Sequence, residues 1–339
     1  MNRLCYISRN YASLKGAGSK AKTDNEQTLR QMGAVNLGLP TTHYDNMVLT
    51  FLLNLAGVLR LALTARRHDV IVLQYPVKKY FSFLCRAAHW RGAKVVTIVH
   101  DLTALHRHRV TIEKEISRLM RSDHVIASNE AMMHWLKENG LSRPITPLGL
   151  FDYRSEARPA HRATTLSLVY AGALTPRKNA YLPLLASSPM GIKLHVYGNC
   201  DALPGLQQAP HAVCHPFAPA DEFIRQGEGD FGLVWDGDSL ETCQGDFGQY
   251  LRYNSPHKVS FYLRAGKPVV IWQQAAVAPI IEREGIGLLI SSLDQLQQTL
   301  EQLTPQQMAA MNENVSRISD KLSKGGFLQE ALQKVLPTL

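Results

Sequence analysis

The sequence predicts an α/β protein of two doubly wound, Rossmann-like domains that face a cleft. Three observations carry this. Short, almost continuously apolar strands alternate with helix-period segments along the chain, the pattern of parallel sheets covered on both faces. The 339 residues are long for one domain and natural for two. A polar, proline-containing stretch over 150–165, LFDYRSEARPAHRATT, interrupts the alternation. The expected division is an N-terminal domain over 1–150, a linker over 151–165, a second domain over 166–322 and a closing segment over 323–339. The helix of that segment can pack back on the first domain.

A strand over 4–7 opens the chain, and a long polar loop over 9–23 follows it. The loop contains Gly16-Ala17-Gly18-Ser19-Lys20, a composition that suits phosphate but lacks the spacing of a P-loop. No GxGxxG follows the strand. The loop reads as a flexible segment able to close over an acceptor. Thr23 or Asp24 can cap the helix predicted over 24–32, with Glu26 or Gln27 in support. A helix over 47–67 follows. Its apolar run, 47–63, is interrupted by Asn54 and Gly57 and falls short of the roughly 20 residues of a membrane span. It reads as a buried helix or as one lying on a membrane. Strands at 70–73, 95–99 and 125–127, with helices near 80–91, 110–121 and 129–139, complete the first domain.

The second domain restarts the pattern. Its strands fall at 166–171, 192–197, 231–235, 268–271 and 287–290. Helices fall near 177–186, 219–226, 256–265, 276–284, 292–302 and 305–320, and a last one near 326–336 closes the chain. Two such domains place a ligand at the carboxyl ends of their strands.

At 45% hydrophobic and 19% charged residues the chain supports a large core, which excludes global disorder. Five cysteines, an odd number without a CxxC pair, fit a reduced, cytoplasmic setting. The N-terminus, MNRLCYISRN, has no apolar signal core. The net charge of +9 is uneven: 1–150 hold 21 Lys and Arg against 10 Asp and Glu, and the remainder holds 16 against 18. A basic N-terminal half implies a phosphate-bearing partner or an anionic membrane surface, or simply a solvated basic face. No aromatic-rich basic segment or nucleic-acid motif appears.

The stretch over 245–272, GDFGQYLRYNSPHKVSFYLRAGKPVVIW, is the most informative. After a glycine-containing loop, Asn254 or Ser255 can cap a helix with Pro256 at its first position. Val259, Phe261, Tyr262 and Leu263 form its buried face, and Ala265-Gly266 ends it. Such a start exposes free N–H groups, and Lys258 one turn in makes it a seat for a diphosphate. Small residues after the strand at 166–171, Gly172 among them, let backbone approach a ligand. Arg177 and Lys178 then open a helix where cations are disfavoured, which a bound diphosphate explains, as does a pair of exposed surface cations. Tyr197, before Gly198 at a strand end, can stack on a base or sit as a rim residue. Asp236-Gly237-Asp238 has the form of a metal-binding DxD, but it is also an ordinary acidic turn, and lysine and arginine can neutralise phosphates without a metal. Cys200, His211, Cys214 and His215 form a loose cluster whose zinc reading stands against that of ordinary residues. In the first domain His100-Asp101 ends a strand. Asp101 can serve as a general base or as a helix cap. His106 and His108 follow, at no standard metal spacing.

Gly248-Gln249-Tyr250-Leu251-Arg252-Tyr253-Asn254-Ser255-Pro256-His257-Lys258, followed by Gly266-Lys267-Pro268-Val269-Val270, resembles the nucleotide-sugar site of bacterial GT-B glycosyltransferases. The likeness is to β-1,6-galactofuranosyltransferases of surface polysaccharides and to streptococcal glucosyltransferases that extend adhesin O-glycans. It extends to GLVWDG over 232–237, VHDL over 99–102 and DHVIASNEAMMHWLKENG over 123–140.

The resemblance implies a C-terminal domain that binds UDP through Arg177, Tyr197, Asn254, His257 and Lys258, and an N-terminal domain that binds the acceptor. With the small-residue, helix-start and cation readings above, the donor set is Gly172, Arg177, Lys178, Tyr197, Tyr253, Asn254, Ser255, His257 and Lys258. It implies no cofactor beyond the UDP-sugar substrate and no metal. The acceptor is a glycan or lipid-linked oligosaccharide, with peripheral contact to an anionic membrane, no nucleic acid, and room for a homo-oligomer. The retaining pattern of two glutamates is missing, since Glu241 has Gln249 eight positions on. Inversion is therefore expected, with Asp101 as base and Asp24 as second candidate, because its flexible loop can bring it over the cleft. The competing reading is a nucleotide-sugar-binding scaffold without turnover.

Overall fold

The computed structural model describes residues 2–11, 17–76, 80–106, 110–160, 163 and 166–339. Gly16 and His108 lie outside them, as does the side chain of His106. The chain divides into two compact units, Met1–Asp152 with Lys324–Leu339, and Tyr153–Ser323.

In the first unit the elements run β1 (Leu4–Tyr6), α1 (Ala17–Gln31), β2 (Val35–Asn36), α2 (Met47–Thr64), β3 (Val70–Tyr75), α3 (Phe81–Trp90), β4 (Lys94–Val99), α4 (Thr103–His106), α5 (Ile112–Leu119), β5 (His124–Ala127), α6 (Glu130–Glu138) and β6 (Ile145–Pro147). The sheet is parallel with order β2-β1-β3-β4-β5-β6. β3 and β5 are buried at every position, which is why they read as unbroken apolar runs. The core joins Ile71, Leu73, Val95, Val99 and Val125 to Leu61, Leu84, Ile116 and Leu136 from the helices.

In the second unit the order is β7 (Leu168–Ala171), α7 (Pro176–Asn179), α8 (Tyr181–Ala186), β8 (Leu194–Tyr197), β9 (Ala212–His215), α9 (Ala220–Gln226), β10 (Phe231–Val234), α10 (Gly245–Tyr250), α11 (His257–Arg264), β11 (Val269–Trp272), α12 (Ala278–Glu284), β12 (Gly287–Ile290), α13 (Leu296–Glu301) and α14 (Pro305–Lys324). Its parallel sheet has order β12-β11-β10-β7-β8-β9. The last helix, α15 (Gly326–Val335), belongs to the first unit and packs on β6 and α1. The Asp152 carboxylate accepts from the Phe327 and Leu328 N–H groups at 3.1 and 2.9 Å, capping that helix.

Several expectations are corrected. α1 begins at Ala17, so 17–23 are helical and Asp24 lies inside the helix instead of capping it. The glycine-containing segment at 245–250 is α10. α2 is not a buried helix: only Gly57, Val58 and Leu61 are buried, and most of its apolar side chains face outward. The polar stretch after Leu150 is tied down: Asp152, Tyr153, Arg154 and Ala157 are buried, and the Arg264 guanidinium donates to the carbonyls of Ser155 and Ala157. The cysteine pattern fits a reduced setting, but Cys200 and Cys214 form a disulfide. The register of β8 with β9 sets Cys214 opposite Val196, and the turn after β8 returns Cys200 over the Val196 carbonyl. Cys5, Cys85 and Cys243 are free and buried.

Candidate functional site

Within the second unit the chain runs outward from β7 to β9, then returns to β10 on the other side of β7. The carboxyl ends of β7 and β10 diverge at such a switch point and leave a crevice for ligands. Tyr170 and Gly172 come from the end of β7, Lys178 and Asn179 from α7, Asp236 from the end of β10 and Lys258 from α11.

Lys258 is the centre of this group. Its Nζ donates to the Tyr170 hydroxyl and lies 3.6 Å from the ring centroid. Asn179 Nδ2 donates to the same hydroxyl at 2.7 Å, and its Oδ1 accepts from the Thr175 N–H at 3.1 Å. Burial lowers the Lys258 ammonium from 10.5 to about 8, against the pull of the Asp236 carboxylate. Burial raises the Tyr170 phenol, which stays neutral and accepts. Gly172 has φ +149, and a Cβ there would stand 3.2 Å from Lys258 Cε and 3.6 Å from Nζ. The glycine therefore supplies both a backbone shape that L side chains avoid and the room the lysine uses. Gly232 acts beneath: a Cβ there would fall 2.2 Å from the Tyr262 ring, so only glycine lets α11 seat on β10. The Tyr262 hydroxyl then accepts the Ala171 N–H at 2.9 Å and fixes the end of β7.

α11 starts at His257 with Pro256 as its N-cap residue. Asn254 and Ser255 thus precede the helix instead of capping it, and Pro256 falls one position earlier than expected. Asn254 Oδ1 is buried with no hydrogen-bond partner among the described residues, an acceptor available to a donor group on a ligand. Ser255 is buried, and Tyr253 and His257 are half-buried. The His257 ring leans on Tyr153 at 4.9 Å. Among the expected face residues Phe261 is half-buried, whereas Val259, Tyr262 and Leu263 are buried.

The two cations of α7 have carboxylate partners. Lys178 Nζ lies 3.1 Å from Asp236 Oδ2, and the Arg177 guanidinium lies 2.6 Å from Asp246 Oδ2 in an exposed pair. The carboxylate of Asp236 is thus engaged by lysine, and Asp238 is exposed. Tyr197 stacks on His215 at 4.3 Å, its hydroxyl accepts the Glu228 N–H at 2.8 Å, and its carbonyl accepts the Gly172 N–H at 3.2 Å. Its backbone belongs to the crevice, while its ring is committed to the edge of the sheet. The disulfide removes Cys200 and Cys214 from any zinc set. Among the described residues His195, His215 and Glu228 could hold a cation, with ligand atoms within 4.8 Å of one another. The two imidazoles already share a hydrogen bond of 2.9 Å, and burial lowers His195.

In the first unit the switch point lies between β1 and β3. Asp101 follows β4 and is exposed. The N–H groups of Thr103 and Ala104 at the start of α4 go to the Glu115 carboxylate at 2.9 and 2.8 Å, so that helix start is satisfied by Glu115. His100 is buried, 2.9 Å from Gln74 Oε1 and stacked on Phe151. Asn25 of α1 donates to the same Gln74 oxygen at 3.0 Å. Asp24 is buried, with Lys20 at 2.5 Å, so it is not carried on a mobile loop. Sequence reasoning missed the role of Glu26. Its buried carboxylate accepts from Ser8, Tyr11 and Thr41 at 2.6, 2.5 and 3.1 Å, and burial raises it above the usual carboxylate range. It also missed Tyr170 and Asn179, which have no motif and are found only through their contacts with Lys258.

Two parallel α/β units, the second with a lysine at a helix start over its switch point, define the GT-B glycosyltransferase class. Solved glycosyltransferases share the fold: AviGT4 of avilamycin A biosynthesis at TM-score 0.58 and 12% identity, covering 100% of this chain and 99% of that one. WaaG of lipopolysaccharide biosynthesis follows at TM-score 0.56 and 15% identity, covering 97% and 98%. Residues 4–150 match the model of the glucosyltransferase 3-like N-terminal domain, and residues 168–335 that of the C-terminal domain. The chain belongs to the glucosyltransferase 3-like family. It is 31% identical over 279 residues to the β-1,6-galactofuranosyltransferase WbbI of Escherichia coli (strain K12), covering 80% of each chain. Glucosyltransferase 3 of Streptococcus gordonii is 26% identical over 273 residues, covering 78% of each.

Proposed function

We propose that this glycosyltransferase moves a hexose, galactofuranose, glucose or galactose, from a UDP-sugar to a sugar hydroxyl of a cell-surface glycan, with inversion and without a metal. The observation that carries the reading is the half-buried ammonium of Lys258 at the start of α11, over the β7–β10 switch point. Its desolvated charge, together with the first N–H groups of α11, suits the β-phosphate of UDP as negative charge develops on the leaving group. Gly172 gives the phosphates close backbone approach, and Asn254 Oδ1 offers an acceptor to a nucleoside N–H or ribose hydroxyl. Lys178 and Arg177, now paired with carboxylates, can turn to the diphosphate. Ser255, His257, Tyr253 and Tyr197 complete the rim.

For the base, the exposure of Asp101 favours it over Asp24, which is buried against Lys20. An ionised carboxylate there would take the proton of the acceptor hydroxyl as it attacks the anomeric carbon and UDP departs from the opposite face. The names of the relatives support both hexofuranosyl and hexopyranosyl donors.

The test is a panel of UDP-glucose, UDP-galactose, UDP-galactofuranose and UDP-N-acetylglucosamine, each followed by calorimetry and by release of UDP. One hexose donor should bind and release UDP. Binding of UDP without release from any donor would favour a scaffold, and no binding at all would overturn the assignment.

A further inference from the structure

Among the described residues, the outer face of α2 and α3 has no partner within its unit. On α2, Val48, Leu52, Leu59 and Leu63 recur along one stripe and are all exposed, Leu63 by 77%. On α3, Phe83 is exposed and Trp90 is 84% exposed. The two helices lie side by side. Phe51 meets Tyr80 at 6.2 Å at their starts, and Arg91 donates to the carbonyls of Ala65 and Leu63 at their ends. Apolar side chains are thus exposed on both of these adjacent helices.

The charge around that surface is mostly basic, although Asp45 is exposed just before α2 and Asp123 pairs with His89 and Lys94. Residues 46–100 hold eight Lys and Arg and a single acid, Asp69. Asp69 is buried and engaged by Arg3 at 2.6 and 2.9 Å. Arg66, Arg67 and Arg86 are exposed, and Arg60 and Arg91 are exposed with their guanidinium groups donating to backbone carbonyls. α2 is the one helix among the described residues long and apolar enough to cross a bilayer. Gly57, Val58, Leu61 and the bond from Arg60 to the Gly38 carbonyl at 2.7 Å hold it lengthwise on its unit, so it presents a side and not an end.

We infer that the α2–α3 face docks the protein on an anionic phospholipid surface, with the leucine stripe and Trp90 entering the interfacial region and the arginines meeting lipid phosphates. An apolar helix side rimmed by arginine, with a tryptophan at its margin, matches interfacial binding. A second copy of this chain would fit less well, because a twofold contact would bring the same arginines of both copies together. Docking places the enzyme on the surface that would carry a lipid-linked acceptor.

The experiment is co-sedimentation of the full chain with phosphatidylglycerol–phosphatidylcholine vesicles and with pure phosphatidylcholine, without donor, so that its failure leaves the glycosyl-transfer reading intact. Binding is expected to the anionic vesicles alone, with a blue shift of the Trp90 emission. It should weaken as salt rises from about 0.1 M to 1 M, which shortens the screening length from about 10 Å to 3 Å. The double variants Leu52→Glu with Leu59→Glu, and Arg66→Glu with Arg67→Glu, alter exposed positions. Each should lower vesicle affinity at least about tenfold while UDP binding is unchanged. Absence of binding, equal binding by the variants, or a dimer that the leucine variant converts to monomer would overturn the inference.

Discussion

The depressed Lys258 ammonium makes UDP affinity depend on pH in a defined direction. In the free protein burial holds it at about 8. A bound diphosphate favours the charged form and raises that value, so binding takes up a proton wherever the free lysine is neutral. Affinity should be flat below the free value and fall as pH rises through it. Between pH 7 and 9 the protonated fraction drops from about nine-tenths to about one-tenth, so affinity should fall about tenfold, or about 1.4 kcal/mol. The phosphates of UDP are already ionised over that range. Calorimetry at pH 8.5 in two buffers of different ionisation enthalpy should show uptake of about three-quarters of a proton per UDP. In Lys258→Met the uptake should vanish and affinity at pH 7 should drop about 10- to 100-fold, the loss of a charge-assisted contact. A wild-type affinity constant from pH 7 to 9, or the same slope in the variant, would refute the reasoning.

Two other predictions concern residues outside that contact. Lys267 is fully buried and its Nζ donates to the carbonyls of Gly227, at 2.7 Å, and Gly229. Lys267→Met should cost about 3 kcal/mol of stability at pH 7 and lower the melting temperature by several degrees, read by thermal denaturation, because both carbonyls lose their partner. An unchanged melting curve contradicts that role. Asp101→Asn should lower kcat by about 10²- to 10⁴-fold with UDP affinity unchanged, and Asp24→Asn should act mainly on stability. Steady-state rates and calorimetry of both variants decide this, and the reverse pattern would move the base to Asp24.

What could be read in advance follows burial. The central strands β3, β4, β7 and β10 are apolar because both sheet faces cover them, and their positions were legible to within a residue or two. The edge strands β2, β6 and β9 are short and largely half-exposed, so no apolar run announced them. α2 misled for the opposite reason, since its composition reads as core and its surroundings leave it outside. In the candidate site Lys258, Gly172 and the Asn-Ser-Pro-His element were visible because loop and helix-start chemistry is local. Tyr170 was not, because a hydroxyl on a buried strand gains meaning only from the α11 lysine 88 residues away. The Cys200–Cys214 bridge depends in the same way on the β8–β9 register and has no motif.

The central claim, hexose transfer from UDP governed by Lys258, is tested most directly by UDP release from the preferred donor, measured in the wild-type chain and in Lys258→Met of matched circular dichroism and melting temperature. The prediction is a kcat/KM lower by about 10²- to 10³-fold in the variant, the scale of losing one charge-stabilising donor in the transition state. Equal kcat/KM in the two proteins would contradict it.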